Sequence, residues 1–236
     1  MQEVSLFIGH YAVGFASKKL SPSTSLGLLI LASLWLDIVW PFFVLSGIER
    51  AKIVPGITRV MPVDLEYYPF SHSLLAAGLW AMAFSGIYWF FYRRLWASLL
   101  LGIGVVSHWV LDLISHRPDL PLTFFGSQRL GLSLWNYPVP AFVLEFIIFA
   151  GSFSLYIADT RPLNAVGKFG IWFYAAILLG LFTVPFLGII PRNLHVVVIS
   201  GLFLFALIPI AHWLDRNRVP LEGVETPHPA IHGLHQ

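Results

Sequence analysis

Six apolar stretches, each long enough to cross a bilayer, dictate what this chain can become. They run over residues 24–46, 71–92, 95–115, 138–157, 169–190 and 194–214. A spanning helix needs about 20 mostly apolar residues. Composition agrees: 57% of the residues are hydrophobic and 11% charged, against roughly 25% charged in a soluble domain. Mean hydropathy is +0.77. The expected fold is all-α, a polytopic transmembrane helix bundle of six clear spans plus a short N-terminal helix over 4–16. That first helix is a short span or a half-inserted segment and contains Gly9, His10 and Gly14.

Helix-breaking chemistry marks the boundaries. Ser21-Pro22-Ser23 precedes the first span, Pro138 and Pro140 open the fourth, and Pro191-Arg192-Asn193 separates the last two. Pro209 lies inside the last span and predicts a kink there. Residues 1–215 are expected to form the bundle. The tail 216–236, with Pro220, Pro227 and Pro229, is expected to be disordered, and its His228, His232 and His235 to take no part in a site. No cleavable signal peptide is expected, because a basic stretch does not precede a long apolar core at the start.

Alternation puts the two long connections, 47–70 and 117–137, on one side. The short loops opposite carry Lys18, Lys19, Arg93, Arg94, Arg161, Lys168, Arg216 and Arg218. On the long-loop side Arg50, Lys52, Arg59, Arg117, Arg129 and Arg192 are spread over longer loops and mixed with Glu49, Asp64, Glu66 and Asp119. The positive-inside rule therefore assigns the short loops to the cytoplasm. The expected location is a bacterial inner membrane, with the long connections outside. The formal charge of +2 gives no case for nucleic acid, and with no cysteine there can be no thiolate ligand. Metals must be held by His, Asp or Glu, a set suited to Zn, Mn or Fe.

Within these apolar runs sit His10, Asp37, His72, His108, Asp112, His116 and Glu145. His108, Asp112 and His116 are spaced by four residues, so on a helix they share one face, drifting about 40° per step. His72 begins its span from the long-loop side and His116 ends the next span there. At 1.5 Å per residue Glu145 is about two turns in from the same side. All seven groups thus lie in one half of the bundle. Ionisable groups at such depth are costly and mark function. Each also has a structural reading alone: His10 as a packing histidine, Asp37 as a partner for backbone freed near Pro41, His116 at a helix C-terminus, and Glu145 paired with Arg129 or Asn136. Seven candidates exceed the three protein ligands of a mononuclear catalytic zinc. The excess points to two or more divalent ions, about 3.5–4 Å apart and bridged by Asp112 or Asp37.

Gly9-His10, Leu36-Asp37, Ser71-His72-Ser73 and His108-Trp109-Val110-Leu111-Asp112 together resemble the membrane-bound metal-dependent hydrolase family, the YdjM-like proteins. A more distant likeness is to zinc-dependent phospholipase C. The resemblance spans residues 9–116 and implies that His10, Asp37, His72, His108, Asp112 and His116 are ligands, with Glu145 a further one. Val39 stands where the family pattern has a second acid, and Tyr68-Pro69-Phe70 where it has a basic-glycine pair.

The function expected is hydrolysis of a lipid-like or amphiphilic ester or phosphoester by metal-activated water. Asp37 or Glu145, whichever is not a ligand, would be the catalytic base. Arg117, Arg129 and Asn136 lie at the headgroup level, where arginine can hold a phosphate through paired hydrogen bonds. The alternatives are a divalent-metal or proton transporter using the same residues, and a scaffold with a structural metal. Transport is disfavoured by the crowding of candidates toward one side.

Overall fold

The computed structural model describes residues 7–189, 191 and 193–221. Helix α1 (Phe7–Leu20) is followed by α2 (Leu26–Ser33) and α3 (Trp35–Leu45). A hairpin of β1 (Arg50–Ile53) and β2 (Val63–Tyr67) leads to the one-turn α4 (Pro69–His72). Helices α5 (Leu74–Tyr92) and α6 (Leu95–Ser115) come next, then a small ladder of β3 (Leu120–Pro121) with β4 (Arg129–Leu130). The chain continues through α7 (Pro138–Asp159), β5 (Thr160–Pro162), α8 (Ile171–Thr183), α9 (Leu194–Leu204), α10 (Leu207–Asp215) and β6 (Arg218–Pro220). The described residues form an all-α bundle with three two-stranded ladders at its ends.

Among the described residues, five helical segments are long and apolar enough to cross a membrane: Leu74–Tyr92, Leu95–Ser115, Pro138–Asp159, Val166–Leu187 and Leu194–Asp215. A sixth is expected from sequence as one span over 24–46. It is instead two helices, α2 and α3, meeting at 55°. At the break, Ser33 Oγ donates back to Ile30 O at 3.0 Å. Such back-bonding competes with the helix ladder and bends it. Pro209 lacks the N–H that would bond Phe205 O, and the α-helical ladder is interrupted between α9 and α10. The break is closed by tighter bonds, Ala206 N–H to Phe203 O and Ile208 N–H to Phe205 O, both 3.1 Å.

Two apolar cores result. One gathers α1, α2, α7, α8 and α10 around Phe15, whose ring meets Phe149, Phe153, Tyr156 and Tyr174 edge-on at 5.4–6.5 Å. The other joins α2, α3, α5 and α6 to the long connections through Met61, Val63, Leu65, Tyr68 and Trp135. Helix α1 crosses α2 at Gly14, where a Cβ would fall 2.8 Å from Ile30 Cα. Small residues are what permit such close crossing of helices in membranes.

The two long connections lie together, as alternation requires. Val60 N–H donates to Trp135 O at 3.1 Å, and Arg117 pairs with Asp64. At the opposite end, buried Lys18 and Asp215 are 2.6 Å apart. Asp215 also accepts from Leu26 N–H and the Tyr156 hydroxyl. Ordered chain runs beyond residue 215: β6 pairs with β5, and the buried Arg218 guanidinium donates to Thr160 O and Gly167 O at 2.9 and 2.7 Å. His228, His232 and His235 lie outside the described residues.

Candidate metal centre

Helix α6 is apolar on the faces that meet neighbours or lipid, and its buried stripe includes Val105, His108 and Asp112. The four-residue spacing puts the last two on one face, His108 Nε2 standing 3.3 Å from Asp112 Oδ2. Helix α1 brings His10 beside them. Its imidazole lies flat on that of His108, ring centroids 3.7 Å apart and planes within 3°. His10 Nε2 is 3.3 Å from Asp112 Oδ1. The Asp112 carboxylate therefore gives one oxygen to each of two stacked rings.

The broken span supplies Asp37 from the first turn of α3. Its Oδ1 is 3.5 Å from both His72 Nε2 and His108 Nε2. His72, on α4, also approaches Asp112 Oδ2 at 3.8 Å. Two compact sets result: His10, His108 and Asp112, and Asp37, His72 and His108. Ligand atoms about 2.0–2.1 Å from a tetrahedral ion lie about 3.3 Å apart. The observed spacings sit at or just above that edge.

Several polar atoms of the cluster make no hydrogen bond. His10 Nδ1 and Nε2, His108 Nε2 and both Asp112 oxygens are buried without a hydrogen-bond partner. His10 and Asp112 are near enough for an ion pair but not aligned for a hydrogen bond. Leaving such atoms unpaired costs about 1–3 kcal/mol each, more when charged. One ligand atom each from His10, His108 and Asp112 lie within 4.8 Å of one another, an arrangement that could hold a metal ion.

The far nitrogens of two rings are fixed by acceptors. His108 Nδ1 is 2.8 Å from Ser33 O, the last carbonyl of α2. A carbonyl only accepts, so Nδ1 carries the proton and Nε2 is left bare toward the two aspartates. His116 Nδ1 is 3.1 Å from Asp119 Oδ1, to which the Tyr68 hydroxyl also donates at 3.2 Å. Burial would raise the Asp119 carboxyl, but the His116 and Arg117 donors outweigh it and hold it below its ordinary value.

His116 lies beside the two sets without joining either, and it gets there by a different route from the one its spacing predicts. It is the C-cap of α6 with extended backbone, not a helical residue. Its Nε2 nevertheless stays 3.9 Å from Asp112 Oδ2. The connection after it folds back over the helix end: Leu132 N–H donates to Leu113 O and Ser133 N–H to His116 O, at 2.8 and 2.7 Å. Likewise α4 is a separate turn, and the N-cap of α5 is Ser73, whose side chain accepts from Ala76 N–H at 3.0 Å.

Five sequence candidates stand outside the two sets: His116, whose Nε2 is 3.9 Å from Asp112 Oδ2, and four others. Glu145 accepts from the backbone N–H groups of Ile8 and Gly9. It therefore caps the start of α1, where helix N–H groups lack intrahelical partners, and it joins neither set. Its Oε2 remains buried and unpartnered. Arg117 is held between Asp64 and Asp119, with Nε 2.7 Å from Asp119 Oδ2. Arg129 donates to Asp119 O at 3.0 Å and is otherwise exposed, as is Asn136. Sequence reasoning passed over Ser33, since a main-chain carbonyl at a helix break leaves no residue-type signal.

His10, His108 and Asp112 are sealed, while the Asp37 side chain is 26% exposed. Compared with known family models, characterised proteins and solved structures, the chain matches none.

Proposed function

We propose that this chain is an integral-membrane, metal-dependent hydrolase acting on a lipid-like or amphiphilic ester or phosphoester. The observation that carries the reading is the Asp112 carboxylate set astride two stacked imidazoles, each oxygen 3.3 Å from an Nε2. His108 has one free nitrogen and can ligate one ion. Asp37, His72, His108 and Asp112 Oδ2 would then hold the first, and His10 with Asp112 Oδ1 the second. His116 stands beside Asp112 as a further donor. A divalent pair in such a site lowers the pKa of water and clamps the oxygens of an in-line displacement.

The chain's own residues supply the rest. Asp37, the one partly exposed member, would meet an entering substrate and take a proton where it is not fully engaged as a ligand. Arg129, whose guanidinium is only partly occupied, is the better placed of the two arginines for a phosphate. The resemblance to YdjM-like hydrolases agrees, resting on the same four motif segments. The loop charges favour the extracytoplasmic side for the centre, and a bacterial inner membrane is the location proposed.

Purified protein is expected to carry more than one equivalent of Zn, Mn or Fe by elemental analysis. In mixed micelles it should hydrolyse a fluorogenic phosphoester or carboxyl ester of an amphiphile, with activity lost on chelation and restored by metal. Bound metal without turnover on either class would favour the structural scaffold. Metal flux into proteoliposomes would favour the transporter.

A further inference from the structure

Glu49 is absent from the ligand sets, yet it is 1% exposed and has three hydrogen-bond donors. Its Oε1 accepts from the backbone N–H groups of Phe70 and Ser71, both at 2.8 Å. Its Oε2 accepts from the Ser71 hydroxyl at 2.6 Å. The other acceptor within reach of that hydroxyl, Tyr68 O, is 3.5 Å away. Ser71 Oγ in turn lies 2.7 Å from His72 Nδ1.

A hydroxyl has one hydrogen. If Ser71 spends it on Glu49, its oxygen is left as an acceptor, and His72 Nδ1 must be the donor. We propose that Glu49, acting through Ser71, is a positioning residue that fixes the proton of His72 on Nδ1 and so presents a bare Nε2 to the metal centre. The inference rests on the metal reading for its purpose, but the proton placement stands on the hydrogen bonds alone. It also gives His72 the arrangement already seen at His108 and His116, where an acceptor holds Nδ1 and Nε2 faces the aspartates. Such outer partners raise ligand basicity, and losing one typically costs about 10–100-fold in metal affinity.

Glu49→Gln reverses the relay without changing its shape. The two backbone N–H groups hold the amide oxygen at the Oε1 position, so the amide N–H₂ must face Ser71 Oγ. The hydroxyl then turns its hydrogen to His72 Nδ1, and the ring proton moves to Nε2. Ser71→Ala instead cuts the relay and leaves His72 without a preference.

Nitrogen NMR of ¹⁵N-histidine-labelled, metal-stripped protein reads the tautomer directly, with His72 assigned by its loss in His72→Ala. The wild type should show the Nδ1–H form, Glu49→Gln the Nε2–H form and Ser71→Ala a mixture. Metal titration should show a loss of about 10–100-fold in affinity for Glu49→Gln and a smaller loss for Ser71→Ala. An Nε2–H form in the wild type would overturn the relay, as would an unchanged tautomer in a folded Glu49→Gln. Should Glu49→Gln fail to fold, the wild-type tautomer and Ser71→Ala still decide. If the protein bound no metal while the tautomers behaved as stated, the hydrolase reading would fall and the relay would stand.

Discussion

Replacing Asp112 by alanine removes both oxygens that lie between His10 and His108, and no other described carboxylate faces both rings. Asp112→Ala should therefore abolish tight metal binding, measured as loss of bound metal after gel filtration, while helix content stays unchanged. Retained metal would show that the ligand face of α6 is misassigned. Arg117 makes a contrasting case. Its guanidinium is committed to Asp64 and Asp119, and Asp119 holds His116. Arg117→Ala should lower metal affinity, read by titration against a chelator, and leave KM for an amphiphilic substrate little changed. A selective rise in KM would return Arg117 to the substrate-binding role its position in sequence suggests.

Among the elements, the crossing of α1 over α2 controls whether His10 can reach the centre. Gly14 lies one turn beyond His10, and Ile30 leaves no room for a side chain there. Gly14→Leu should push the helices apart and reduce the metal stoichiometry although no ligand is touched, a change visible by elemental analysis. The Lys18–Asp215 pair joins α1 to α10 at the far end from the centre, and Asp215 also ties in α2 and α7. Removing one partner of a buried pair costs about 3–5 kcal/mol because the other charge is left alone. Asp215→Ala should thus lower thermal stability in detergent by about that amount, with metal content per folded protein unaffected. Element boundaries were legible where the backbone chemistry is strong. Pro209 announces the break before α10, whereas the break at Leu34 carries no proline or glycine. It depends on the Ser33 hydroxyl turning back to Ile30 and on His108 taking the Ser33 carbonyl from another helix.

For the molecule as a whole, sidedness is the property most open to test. The chain has no cysteine, so single cysteines can be introduced without a background. Arg93→Cys and Gln128→Cys lie on connections at opposite ends of the α5–α6 pair. A membrane-impermeant thiol reagent added to intact cells should label Gln128→Cys and spare Arg93→Cys until the cells are opened. The reverse pattern would place the centre on the cytoplasmic side.

The sequence by itself determined that this is a bundle of membrane-crossing helices, because apolar length and the cost of bare backbone in lipid leave little choice. It also placed His108 and Asp112 on one face, because four residues make about one helical turn. Only the tertiary structure decided which of the remaining polar groups meet them. His10, Asp37 and His72 arrive from three other helices, and their approach depends on a close crossing, a bend and a one-turn helix that local sequence does not encode. Glu145 shares their depth but is turned to the start of α1. Depth along a span is set by counting residues, whereas the direction a side chain faces at that depth is set by how the helices pack.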